Sequence, residues 1–248
     1  MADHRPPDVG EPPQSPRGAA RDDLVRAVRT TLAAAGNPER ARAQQAYMKS
    51  AMPFHGISSP DLKALLRPVL ADPAHPMASR EEWDATVHEL WDRATYREER
   101  YAATALAGHR AYRPWQDAGT LPLYRHLVVT GAWWDLVDPV ASDRVGPILL
   151  RFPDEVTPVV RRWAVADDLW LRRTAILSQL KARERTDTTL LRDCVEPNLG
   201  DSIFWIRKAI GWALRSYART DPAWVRAEVE RCGPHLSGLS RREALKHL

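Results

Sequence analysis

Signals that start an α-helix recur along this chain at short intervals, and nothing in it alternates as a β-strand would. Asn37-Pro38 and Ser59-Pro60 each pair a side chain that can accept the first unpaired backbone N–H groups with a proline at the first helical position. Ser79-Arg-Glu-Glu82 has the spacing of a capping box, and Thr220-Asp221-Pro222 opens another helix. Between these marks apolar residues fall three and four apart, as in Leu62, Leu65, Leu66, Val69 and Leu70. The pattern predicts an all-α chain of roughly a dozen helices. Short amphipathic helices joined by short turns make either an irregular bundle or a solenoid of helix pairs. No strict period is legible, although Trp stands beside Arg in both Trp170-Leu-Arg-Arg173 and Trp205-Ile-Arg207.

Residues 1–21 are rich in Pro, Gly, Ser and charge and offer little to bury, so a disordered tail is expected there. The helical domain is expected over residues 22–248. The N-terminus lacks the apolar stretch of a secretory signal, and no apolar run is long enough to span a bilayer. Cys194 and Cys232 have no neighbours at metal-ligand spacing. A cytoplasmic protein is expected, nucleoid-associated in a bacterium. The net charge is +4, and residues 161–219 hold twelve Lys or Arg against seven Asp or Glu. That excess fits a phosphate-binding face, or equally a set of solvated helix faces paired with their own acids.

Several chemistries find no support. There is no Gly-rich phosphate loop, no His-Glu-x-x-His pair and no Gly-x-Ser-x-Gly elbow. The eight histidines are scattered, none at helical ligand spacing from another His or Cys, so no metal and no cofactor is expected. Tryptophan is the unusual residue, with ten against three phenylalanines. Trp83, Trp91, Trp115 and Trp163 read as core. The others fall in clusters. In Gly131-Ala-Trp133-Trp134-Asp135-Leu-Val-Asp138-Pro139, Trp134 and Asp138 would share a helix face. Asp138 before a proline is also a good N-cap, as Asp135 could be, and spacing alone favours the cap over a catalytic carboxylate. Asp168 to Lys181 reads as an amphipathic helix carrying Trp170, Arg172 and Arg173. Phe204 to Arg215 carries Gly211 inside a strong helix, which costs about 1 kcal/mol relative to alanine and points to close approach of another backbone or a ligand.

Taken together, four stretches resemble the AlkD-type family of DNA alkylation repair glycosylases. They are Tyr47-Met-Lys-Ser-Ala-Met-Pro-Phe-His-Gly-Ile57, Trp133-Trp-Asp-Leu-Val-Asp138, Trp170-Leu-Arg-Arg-Thr-Ala-Ile-Leu-Ser-Gln-Leu-Lys181 and Ile206-Arg-Lys-Ala-Ile-Gly-Trp-Ala-Leu-Arg215. The resemblance spans about residues 24–230. It implies a HEAT-like helical-repeat solenoid that holds duplex DNA in a concave, basic face. By the same resemblance Trp134 and Asp138 match the catalytic tryptophan and carboxylate, Arg173 the arginine of the cleft, and Trp212 its second tryptophan. Tyr47 matches an aromatic bordering the cleft. With Lys49, Arg172, Lys181, Arg207 and Lys208 it forms the expected DNA-binding set. Pro139, directly after the carboxylate, departs from the family pattern.

What the resemblance implies is chemically sufficient. Purines alkylated at N3 or N7 are cationic and leave without protonation, so one carboxylate can both stabilise the oxocarbenium ion and place a water. Indole faces beside the sugar add cation–π attraction, and Arg173 would hold a phosphate. The expectation is a metal-free, monomeric glycosylase that releases 3-methyladenine and 7-methylguanine from duplex DNA without flipping the base. The alternatives are a non-catalytic DNA-binding relative on the same scaffold, or a helical-repeat scaffold for protein partners.

Overall fold

The computed structural model describes residues 18–248, and every regular element among them is helical. The first half holds α1 (Asp22–Ala34), α2 (Pro38–Met48), α3 (Ser59–Leu70), α4 (Arg80–Asp92), α5 (Arg97–Ala107), α6 (Leu121–Gly131) and α7 (Trp134–Val140). The second holds α8 (Gly146–Arg151), α9 (Pro153–Ala164), α10 (Leu169–Leu177), α11 (Thr188–Val195), α12 (Phe204–Tyr217), α13 (Pro222–Cys232) and α14 (Gly238–Ala244).

A period that the sequence hides emerges from where helices begin. Helices α3, α5, α7, α10, α12 and α14 start at residues 59, 97, 134, 169, 204 and 238, and each packs on the next. The intervals of 34 to 38 residues are one helix pair, the unit of a helical-repeat solenoid. Helices α1, α4, α6, α9, α11 and α13 lie against this layer and complete each pair. Charged ties cross from one repeat to the next at the same interval. Arg97 reaches Asp135 over 38 positions, Arg173 reaches Asp138 over 35, and Lys208 reaches Glu243 over 35.

Side-chain caps fix several helix starts, those at Asn37 and Asp221 where the sequence predicts them. Asn37 accepts the N–H of Arg40, Asp168 those of Trp170 and Leu171, and Asp221 that of Trp224. Each such cap is worth about 1 kcal/mol. At α3 the cap is Ser58 rather than Ser59, which places Pro60 second in the helix. At α4 the box is offset: Ser79 accepts the N–H of Glu82, but the Glu82 carboxylate takes that of Ala78. The core includes Trp83, Trp91 and Trp163 as expected, and Trp115 packs against it half-buried.

Gly211 behaves as its cost foretold. A Cβ there would lie 2.5 Å from Cβ of Glu243 and 2.9 Å from the Ser240 carbonyl, so glycine is what lets α14 seat on α12. Ser240 Oγ completes the contact by donating to the Arg207 carbonyl at 2.8 Å. At the other end, residues 1–17 of the expected tail lie outside the described residues. The tail's last residue is docked: the Arg21 N–H donates to Thr86 Oγ1, and its guanidinium meets Asp23 and the Pro76 carbonyl. The packed chain therefore reaches back beyond the boundary expected at residue 22.

Candidate active site

Helix α7 runs through Asp138 and Pro139, so Asp138 is not an N-cap; Trp133 holds that position without a side-chain cap. Asp135 lies in the first turn of the helix and does not cap it either. Pro139 has no N–H to give the Asp135 carbonyl four residues back. A π-helical turn, Ala141–Val145, follows and carries the chain into α8. A proline and a π turn in succession set this segment apart from the regular helices around it.

The carboxylate of Asp138 faces α10 and meets Arg173 in a two-pronged pair. Arg173 Nε donates to Oδ1 at 2.7 Å and Nη2 to Oδ2 at 2.8 Å. Its third nitrogen, Nη1, donates to the Trp205 carbonyl at 2.5 Å, which brings α12 into the same cluster. Both charged side chains are buried, at 4% exposure for Arg173 and 11% for Asp138. Burial pushes the Asp138 carboxyl up; Arg173 pulls it down and neighbouring Asp135 pushes it up, and the balance lies above the ordinary aspartate range. Among the described residues Arg173 is the one donor to this carboxylate, so each oxygen keeps a further lone pair.

Arg173 thus does not stand open to a phosphate, as the sequence suggested. Its fork is spent on Asp138 and a backbone carbonyl, which fixes the carboxylate's orientation instead. Arg172 is likewise committed, to the carbonyls of Ala166 and Asp167 and to Asp201 at 3.0 Å. Arg207 donates to the Asp201 carbonyl, Lys208 pairs with Glu243, and Lys181 pairs with Asp143 on the surface. Tyr47 is 76% exposed, and Lys49 next to it, also exposed, ends α2 in the left-handed region at φ 51°.

Aromatic side chains line the same seam, and the sequence reading gave two of them no role. The rings of Trp133, Trp170 and Trp205 meet with centroids 5.4 to 6.2 Å apart, and Arg173 lies 5.8 Å from the Trp205 ring. Trp133 and Trp205 were not expected at the site, although each stands one repeat from Trp170. The Trp133 Nε1–H is buried with no acceptor among the described residues. Trp134, half-buried, sits one turn before Asp138. Trp212 lies two turns beyond Trp205 on α12 and borders a concavity of about 290 Å³ shared with Arg215, Ser216, Arg219, Lys246 and His247. Neither that concavity nor a larger one, beside Ala166 and Asp201, includes Asp138.

Asp135, three residues before Asp138, is held from the opposite side. Arg97 grips both its oxygens at 2.6 and 2.9 Å, and the Tyr101 hydroxyl donates to Oδ2 at 2.5 Å. The same Arg97 reaches Ser50 Oγ, and its N–H meets the Pro53 carbonyl. Buried Glu98 accepts the N–H groups of His55, Gly56 and Ile57. Together Arg97 and Glu98 tie the Tyr47–Ile57 motif to α5, and through Asp135 to α7. None of these three roles was legible beforehand.

Comparison with known proteins agrees with this architecture. A family model described as DNA alkylation repair enzyme matches residues 28–248. A solved structure of a predicted DNA alkylation repair enzyme from Enterococcus faecalis superposes with a TM-score of 0.76 at 31% identity, covering 86% of this chain and 96% of its own. No curated protein sequence matches. With the helix periodicity, the seam and the family match in agreement, this chain belongs to the DNA alkylation repair enzyme family.

Proposed function

We propose that this protein is a DNA glycosylase that hydrolyses the N-glycosidic bond of cationic N3- and N7-alkylated purines, such as 3-methyladenine and 7-methylguanine, in duplex DNA. The observation that carries the reading is the Asp138 carboxylate, aimed by Arg173, one turn from Trp134 and with lone pairs still open. The C1′–N bond breaks with its electron pair passing to the cationic base, which departs neutral. Water oxygen then bonds to C1′, and its proton passes to Asp138. Burial raises that carboxyl's affinity for a proton, and Arg173 keeps it ionised beforehand. A negative charge beside the forming oxocarbenium ion stabilises it by several kcal/mol, roughly the size of other preorganised electrostatic contributions.

Trp134 would present its indole face to the sugar's developing charge. Arg219 and Lys246 beside Trp212 form the phosphate-binding patch in this reading, with Arg215 next to them tied to Glu243, a set nearer the C-terminus than the sequence picked out. Exposed Tyr47 and Lys49 would touch the duplex from the opposite end of the seam. The protein acts as a monomer on duplex DNA, in the cytoplasm or on the nucleoid, and the cationic leaving group makes a metal unnecessary for the chemistry. Among the described residues no helix is long and apolar enough to cross a membrane.

One observation favours a second reading, a DNA-binding relative without catalysis. Asp135–Arg97 shows that this same helix uses an Asp–Arg pair purely as a tie. Single-turnover release of free base from methylated duplex DNA, with EDTA present, separates the two. The glycosylase reading expects release. Salt-sensitive DNA binding with no release in EDTA, or after a divalent ion is restored, selects the second reading.

A further inference from the structure

We propose that His88, Asp92 and His126 form a binding site for a divalent transition-metal ion of the zinc class, separate from the Asp138 seam. His88 and Asp92 lie four apart on α4, a His–Asp spacing that puts both side chains on one helix face. Packing brings His126 from α6 against them. One ligand atom from each lies within 4.8 Å of the others. Nδ1 of His88 stands 3.0 Å from Asp92 Oδ2, and Nε2 of His126 stands 2.6 Å from Oδ1, so both imidazoles converge on one carboxylate. The two rings are 4.7 Å apart.

Two imidazoles and one carboxylate are a donor set suited to zinc and its neighbours, and poor for calcium or magnesium, which need several oxygens. Zinc–nitrogen and zinc–oxygen bonds near 2.1 Å place tetrahedral ligands about 3.3 Å apart. The present spacings are shorter by a few tenths of an ångström or more, and Asp92 is exposed enough to swing back by that amount. Behind the site, Asp84 Oδ2 lies 3.8 Å from Nε2 of His88, on the side away from Asp92. A carboxylate in that place orients a ligating histidine so that the other nitrogen presents its lone pair. The mounting is firm: Trp91 Nε1 on α4 donates to Thr130 Oγ1 on α6 at 2.8 Å, and that hydroxyl donates to the His126 carbonyl. Water would complete the coordination.

Helices α4 and α6 belong to the layer opposite the one that carries Asp138, so the ion would clamp two neighbouring repeats rather than take part in base release. Arg100, which lies over the Trp91 ring and within electrostatic reach of Asp92, opposes a dication and tempers the affinity. The test is titration of the full chain with Zn²⁺ alone, followed by calorimetry, and with Co²⁺, followed by its visible absorption. One ion per chain is expected, with the intense absorption of tetrahedral Co²⁺ and no response to Mg²⁺. Asp92→Asn and His126→Ala, both at positions open to solvent, should each weaken Zn²⁺ at least about tenfold while circular dichroism stays unchanged. No Zn²⁺ binding by the wild type, or binding that both folded variants retain unchanged, would overturn the proposal.

Discussion

Helix α7 carries two aspartates, and each is gripped by an arginine from a neighbouring repeat. Asp135 is held by Arg97 of α5 and also by the Tyr101 hydroxyl, which leaves its Oδ2 shared by two donors. Asp138 is held by Arg173 of α10 alone among the described residues, and beside it lie Trp134 and the Trp133–Trp170–Trp205 cluster. The two are almost equally buried. What separates them is saturation and company. One carboxylate has three of its roughly four acceptor sites taken up by a tie between repeats. The other is aimed by a similar tie and keeps capacity in reserve beside aromatic faces. Burial or an arginine partner alone would not distinguish a chemical group from a fastener.

The comparison breaks most visibly in base release. On the proposed mechanism Asp138→Asn removes the charge that faces the oxocarbenium ion, so single-turnover excision should fall by orders of magnitude, the kinetic equivalent of several kcal/mol. Asp135→Asn should leave the rate per folded molecule within about threefold, because its charge is spent on Arg97 and Tyr101. Equal losses in the two variants, corrected for the folded fraction, would erase the distinction.

Stability should treat the two sites alike. Arg97→Ala and Arg173→Ala each strand a buried carboxylate and should cost about 3–5 kcal/mol in urea unfolding. A cost below about 1 kcal/mol at either site would mean that its pair is loosely made in solution. The salt dependence of DNA binding should then part them from the surface cations. Arg219→Ala should lower the slope of log K against log salt by about one, whereas Arg173→Ala should leave it unchanged. A slope that drops with Arg173→Ala would return that residue to the phosphates.

The smallest effect concerns pH. The proposed reaction needs the ionised form of Asp138, so activity should be lost as pH falls through its pKa. Because burial raises that pKa, the acid limb should set in at a higher pH than an aspartate at its ordinary 3.8 would give. An acid limb at or below that value would show that Arg173 outweighs burial.

Much of the scaffold was legible because it is local. Asn37 and Asp221 cap within three residues of themselves, and Gly211 announced a close approach by its cost inside a helix. The motifs single out Asp138 and Arg173, but not the pairing between them. The partner of Asp138 lies 35 positions away, and Arg172, adjacent to that partner and chemically identical, is turned to a loop and Asp201. No property of the two arginines in the sequence tells them apart; only the phase of α10 does. The proline that argued for a cap misled for the same reason. Asp138 can be helical before Pro139 because the surrounding repeats hold it there, a tertiary influence that overrides the local preference. His88, Asp92 and His126 were invisible because a helix from another repeat supplies the third member.

The tryptophans at 133, 170 and 205 stand at successive seams, and the Asp138–Arg173 pair bridges one of these. A solenoid flexes by small changes of angle between neighbours, and each seam takes a share of any bend. The carboxylate and its arginine hang from different sides of such a joint, so the distance between them works as a strain gauge. A change of angle at that joint falls on this pair, and the three indoles, tilted and edge-on to one another across the same seams, are placed to report such a movement as a change in emission.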